Sequence, residues 1–179
     1  MKKTVLTFGV ISGVVIAVLM GINTIFADRI GFDRAIIVGY TTMLIAFLLV
    51  FFGIKSYRDN IGGGEITFGR AFTVGILITL ITCAFYVVSW EILYYTFLHD
   101  FPEKYGNYLL EKARASGATP EQIAQQLEEV KQMKALLDNP LLAPAVIFIS
   151  EPLPVGLVMT LISALILRRK RRKEVPVPV

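Results

Sequence analysis

Four long runs of apolar sequence constrain this chain more than any other feature. The first carries no charged residue between Lys3 and Asp28. A peptide group in hydrocarbon has no water to bond, so such a run must satisfy its own hydrogen bonds, and a helix does so within one segment. Crossing the bilayer core takes about 20 helical residues. Runs at about 5–26, 35–54, 71–97 and 141–167 meet that length. The predicted fold is all-α: a polytopic membrane protein with four transmembrane helices, residues 1–179 forming a single membrane domain. Charged residues make up only 18% of the chain, which argues against a soluble domain of ordinary composition.

Lys2 and Lys3 give the first run the start of a signal peptide. The run is longer than an h-region of about 7–15 residues, and Ile25-Phe26-Ala27 is a poor cleavage site, so a retained span is expected. The third run would be about 40 Å long as a helix and must tilt or project from the bilayer. Trp90, Tyr94 and Tyr95 near its end are expected to form an interfacial aromatic belt.

Orientation follows from the flanking cations. Lys2, Lys3, Lys55, Arg58, Arg70 and the run Arg168–Lys173 share one set of flanks. Arg29, Arg34, Lys104, Lys112, Arg114, Lys131 and Lys134 share the other, most of them in a long loop where charge has little weight. The positive-inside rule therefore places both termini and the basic tail 168–179 in the cytoplasm, and residues 98–140 outside. That external segment reads as a helical hairpin between spans three and four. Phe101-Pro102 opens its first helix, with Tyr105, Tyr108 and Leu109 on one side, and Ser116-Gly117 ends it. Thr119-Pro120-Glu121-Gln122 starts the second with a capping box, Ile123, Leu127, Val130, Met133 and Leu137 recur at helical spacing, and Asn139-Pro140 stops it. The two apolar faces are expected to pack on each other or on the membrane surface, as a cap over the spans.

Lipid tails give helices no hydrophobic reason to associate, so close backbone approach at small residues carries much of the packing. Gly9 and Gly13, extended by Ala17 and Gly21, form one such stripe. Ala71, Gly75, Thr79 and Cys83 form a second, and Gly156, Thr160 and Ala164 a third. Each is expected to pack within the bundle or against a second copy. Val74-Gly75 followed by Thr79-Leu80-Ile81 also resembles Val155-Gly156 followed by Thr160-Leu161-Ile162, a weak inverted repeat.

Chemistry has few places to sit. One cysteine, Cys83, and one histidine, His99, leave no intrachain disulfide, no Cys/His metal cluster and no Ser-His-Asp arrangement, so no enzyme, metal or cofactor is expected. Gly62-Gly63-Gly64 lacks the Lys-Ser/Thr of a phosphate loop and reads as a flexible turn. The basic tail reads as a stop-transfer anchor on anionic lipid, not a nucleic-acid site. Charge within a span is costly and marks function by default. Glu91 and Glu151 meet that criterion, at similar depth in the outer part of the bilayer, and could share a proton or a cation if they converge. The alternative is that each only reaches toward water or pairs with Arg29, Arg34 or His99. Pro152 and Pro154 flank Glu151 closely and free backbone carbonyls near Phe148 and Ser150. The candidate polar intramembrane site is therefore Glu91, Glu151, Pro152 and Pro154, with a kinked fourth span expected.

The segments Phe52-Gly53-Ile54-Lys55-Ser56-Tyr57-Arg58-Asp59, Thr67-Phe68-Gly69-Arg70-Ala71-Phe72 and Glu151-Pro152-Leu153-Pro154-Val155-Gly156 resemble a bacterial membrane-protein family, domain of unknown function 4199. The resemblance covers nearly the whole chain and implies the same order of spans and a bacterial inner membrane. It implies no activity, substrate or cofactor. The sequence is thus expected to encode a non-enzymatic accessory or scaffold component that contacts the lipid bilayer and forms a homo-oligomer or binds another membrane protein. A small ion- or proton-coupled transporter using Glu151 and Glu91 is the alternative.

Overall fold

A computed structural model describes residues 1–169, apart from the side chains of Ala27 and Asp28; the tail from residue 170 lies outside the described residues. The described chain is helical: α1 (Lys2–Ile30), α2 (Phe32–Asn60), α3 (Phe68–Thr96), α4 (Phe101–Ala115), α5 (Pro120–Leu137), α6 (Ala143–Ser150) and α7 (Pro152–Leu167). Four stretches are long and apolar enough to cross a membrane: Lys2–Phe26, Phe32–Asn60, Phe68–Thr96 and Ala143–Leu167. The chain is a multi-pass membrane protein by that measure.

The first two helices run further than their apolar runs. Each is 29 residues, or about 43 Å, and overshoots the hydrocarbon core. Charge at Arg29, Asp33 and Arg34 limits burial in lipid but does not stop a helix. The stop is Gly31, whose φ of 77° and ψ of 158° belong to a region open essentially to glycine alone. One residue thus reverses the chain. At the opposite end, Gly62-Gly63-Gly64 is an ordered turn, not a slack one. Gly63 and Gly64 have positive φ, and the Gly64 amide donates to the Arg58 carbonyl at 3.0 Å. A Cβ at Gly62 would lie 2.2 Å from the Glu65 carbonyl oxygen. Thr67 then caps α3 by accepting from the Arg70 amide.

α3 is the centre of the bundle, packed against α1, α2 and α7, while α2 also touches α1 and α7. The stripe glycines sit at these contacts. A Cβ on Gly9 would meet Ile81 and one on Gly13 would meet Phe85; Gly53, which belongs to none of the stripes, is as close to Ile78 and Phe8. Gly21, the far end of the first stripe, faces open space. Buried hydroxyls add interhelical bonds: Ser12 Oγ donates to the Ala46 carbonyl at 2.8 Å, tying α1 to α2. Ile66 and Arg169 exchange both backbone hydrogen bonds, at 3.1 and 2.9 Å. This isolated bridge holds the α2–α3 turn against the end of α7 and gathers Lys55, Arg58, Arg70, Arg168 and Arg169 at one end of the bundle.

The hairpin of α4 and α5 caps the other end. Its helices meet at Gly106, where a Cβ would lie 2.5 Å from Val130. The Thr119–Gln122 capping box is formed in full. The hairpin docks through Phe32, whose ring lies 6.2, 5.6 and 5.1 Å from those of Phe101, Tyr105 and Tyr108. Tyr108 and Lys112 both donate to Asp33, at 2.5 and 3.0 Å. Hydrogen bonds to the Tyr108 oxygen and to Asp33 push the Lys112 ammonium above its ordinary range. The Lys104 ammonium, 2.8 Å away, holds the Asp100 carboxyl below its own.

Candidate functional site

The second and third stripes interlock. A Cβ on Gly75 would lie 2.8 Å from Thr160 Cγ2, and one on Gly156 would lie 2.4 Å from Thr79 Cγ2. Between them the Thr79 and Thr160 hydroxyls sit 2.9 Å apart, and Thr79 also reaches the Gly156 carbonyl at 3.4 Å. Each glycine receives the threonine four residues beyond its counterpart, so the contact has a local two-fold axis. The repeated Gly-x-x-x-Thr in these antiparallel helices is thus matched by a reciprocal packing of the two. The same register sets buried Ala71 opposite buried Ala164, and buried Cys83 opposite buried Pro152. Every threonine hydroxyl at this contact has a partner within the protein, which a dry interior requires.

Above this contact the fourth span breaks. Helix α6 ends at Ser150, α7 begins at Pro152, and Glu151 is the joint, with φ −115° and ψ −75°. The Glu151 amide still donates to the Ile147 carbonyl at 3.2 Å, so the chain continues as a kinked helix rather than parting into two. Pro152 and Pro154 supply no N–H for the carbonyls of Phe148 and Ser150, which is the physical origin of the kink. The joint turns the Glu151 carboxylate toward α3, where the Tyr86 hydroxyl donates to Oε2. Tyr86 is buried and Glu151 half-buried. Tyr86 follows Cys83 on the same face of α3, so the small-residue stripe ends in a hydroxyl facing the carboxylate.

Glu91 does not join them. It lies five positions after Tyr86, or about 140° further round the helix. Its face is that of Leu80 and Val88, which are 40% and 58% exposed and therefore turned to lipid. Glu91 Oε1 is itself enclosed and has no hydrogen-bond partner among the described residues. Of the candidate residues, the structure brings Glu151, Pro152 and Pro154 together, and adds Tyr86 to them. The expected aromatic belt also divides. Tyr95 is 53% exposed, but Tyr94 is 1% exposed, stacks on Trp90 at 4.9 Å and donates to Asp138 Oδ1 at 2.7 Å. Tyr94 is a strut between α3 and the end of α5. A phenol directed inward satisfies its hydroxyl on protein, where a belt residue would use water. No group of metal-ligating side chains of the size that holds an ion occurs among the described residues.

Four membrane-crossing helices, a helical cap and a proline-kinked last span define the class: a small polytopic α-helical membrane protein. Within that class the chain belongs to the family described as "Protein of unknown function (DUF4199)", whose sequence profile matches residues 7–169. Comparison with curated proteins and with solved structures found no match.

Proposed function

We propose that the protein is a non-enzymatic accessory or scaffold component of a bacterial inner membrane, with both termini in the cytoplasm and the α4–α5 hairpin outside. One observation carries this reading: the interior of the bundle is filled by the protein's own side chains. The α3 stripe is occupied by α7 down to van der Waals contact. Two open hollows lie beside the starts of α1 and α3, outside the α3–α7 contact. The exposed remainder is a lipid-facing belt plus a rigid hairpin, which suits association with a second copy or another membrane protein. Orientation is supported by the cations gathered at the Ile66–Arg169 end, the side the positive-inside rule places in the cytoplasm.

The transporter reading retains one supporting observation, the Tyr86–Glu151 pair at a helix kink. Its form in which Glu91 and Glu151 share an ion is disfavoured because Glu151 faces Tyr86, and Glu91 lies about 140° further round α3 than Tyr86. Purified protein in vesicles with an internal pH dye separates the two readings. No proton flux from folded protein, with a partner recovered by cross-linking through the hairpin, supports the accessory role. Flux that Glu151→Gln abolishes overturns it. Protease added outside spheroplasts should cut the Ser116–Thr119 turn; cleavage only from the inside would reverse the orientation.

A further inference from the structure

We infer that the basic end of the bundle carries a specific site for one anionic phospholipid, formed between the starts of α1 and α3. Two hollows meet there. The larger, about 380 Å³, is lined by Met1, Thr67, Gly69, Arg70 and Thr73. The second, about 260 Å³, is lined by Met1, Lys2, Val5, Leu6 and Leu77 and presents only apolar atoms. Met1 lines both, and Thr73 and Leu77 are successive turns of α3, so the hollow beside Arg70 adjoins the wholly apolar one. The step from Arg70 to Leu77 is about 10 Å along the helix, the distance from a headgroup phosphate into the upper acyl chain. Leu6 is 57% exposed and Leu77 36%, so the apolar part opens sideways to lipid and not to water.

The polar part carries the charge to match. Arg58 is already paired with Asp59 at 2.7 Å. Arg70 is not in an ion pair among the described residues. It donates through Nε to the neutral Tyr57 hydroxyl at 3.2 Å, a bond that fixes its stem and leaves the terminal nitrogens for an outside acceptor. A guanidinium held in this way is suited to a phosphate oxygen pair. Nothing lies within 4 Å of a Cβ built on Gly69, so a headgroup can approach the backbone of the first α3 turn. Lys2 rims the neighbouring hollow. The occupant is a diacyl lipid with net negative charge, because Arg70 and Lys2 place cations beside hollows whose remaining surface is mainly apolar. The inference requires that the chain span a bilayer and is independent of the accessory or transporter reading.

The test is native mass spectrometry of the full chain in detergent with phosphatidylglycerol or phosphatidylethanolamine of equal chain length. Phosphatidylglycerol should be retained over phosphatidylethanolamine by about fivefold, the factor that one juxtamembrane cation contributes. Gly69→Glu should remove that preference while leaving the fold intact, since the new side chain has room and an acidic residue suits a helix start. Arg70→Gln should do the same. Lys55→Gln, on the same end but outside both hollows, should not. Tyr57→Phe separates charge from positioning: it deletes the bond that holds Arg70 but no charge, and should weaken the preference only in part, less than Arg70→Gln does. Equal retention of the two lipids, a Gly69→Glu protein that binds like the wild type, loss in Tyr57→Phe equal to that in Arg70→Gln, or full displacement by millimolar inorganic phosphate would each overturn the assignment.

Discussion

Replacing Gly156 by alanine tests the interlock of α3 and α7 with a single methyl group. That methyl would stand 2.4 Å from Thr79 Cγ2 and 2.7 Å from the Phe47 ring. Ordinary carbon contacts lie at about 3.5–4.0 Å, so something must move by about 1 Å. If the helices separate, packing on both sides of the local axis is lost, because the Gly75–Thr160 contact opens too. If Thr79 rotates instead, it leaves Thr160. Overpacking of a filled interior costs about 1–3 kcal/mol, and an interhelical hydrogen bond in a membrane adds about 0.6 kcal/mol. Alanine returns about 0.5–1 kcal/mol of helix preference over glycine. The net is a loss of about 1–3 kcal/mol. Gly21→Ala provides the control, since nothing lies within 4 Å of its added carbon and only the favourable contribution remains. Equilibrium unfolding in mixed micelles with rising dodecyl sulfate measures both. A Gly156→Ala protein as stable as the wild type, or a Gly21→Ala protein that loses as much, would refute the packing argument.

The other expectations concern the kink and the cap. Tyr86→Phe leaves the Glu151 carboxylate without its donor and should destabilise by about 1–3 kcal/mol in the same unfolding assay, with the loss reduced when Glu151→Gln is combined with it. Tyr94→Phe cuts the strut to Asp138 and should speed protease cleavage between α5 and α6 without changing unfolding of the spans. Thr119→Ala removes the capping box and should weaken amide protection in the first turn of α5 by about 1 kcal/mol, leaving α3 unaffected. Asp100 has its pKa depressed by Lys104, so its contribution to the start of α4 is present above the ordinary carboxylate pKa and is lost as pH falls through and below it. Hydrogen exchange of α4 should rise over that window, and Lys104→Gln should flatten the response.

The spans were legible because an uncharged run of sufficient length has one stable form in hydrocarbon, whatever its neighbours. Their ends were not. Arg29, Asp33 and Arg34 mark where lipid becomes unfavourable, and a helix can project past that point until its backbone requires the geometry of Gly31. The hairpin was legible from Thr119-Pro120 and Asn139-Pro140 because capping is local chemistry. Its docking through Phe32 and Asp33 was not, since those contacts join residues far apart in the chain. At the site, Glu151 stood out as a charge followed closely by two prolines, but its partner did not. Tyr86 could have been found by extending the Gly75, Thr79, Cys83 stripe by one more turn to the next polar side chain. Glu91 carried the same signal as Glu151, and only tertiary packing distinguishes a carboxylate facing a tyrosine from one with an oxygen that is enclosed and has no partner among the described residues.

The bridge between Ile66 and Arg169 has a consequence for biogenesis. One of its two strands is made early and the other emerges near the end of the described chain. While α1, α2 and α3 enter the bilayer, the turn after α2 lacks its backbone partner and the small-residue face of α3 is open to lipid. Arrival of α7 closes both at once. The fourth span therefore acts as the latch of the bundle, and before it arrives the first three spans lack the partner that fills the α3 stripe.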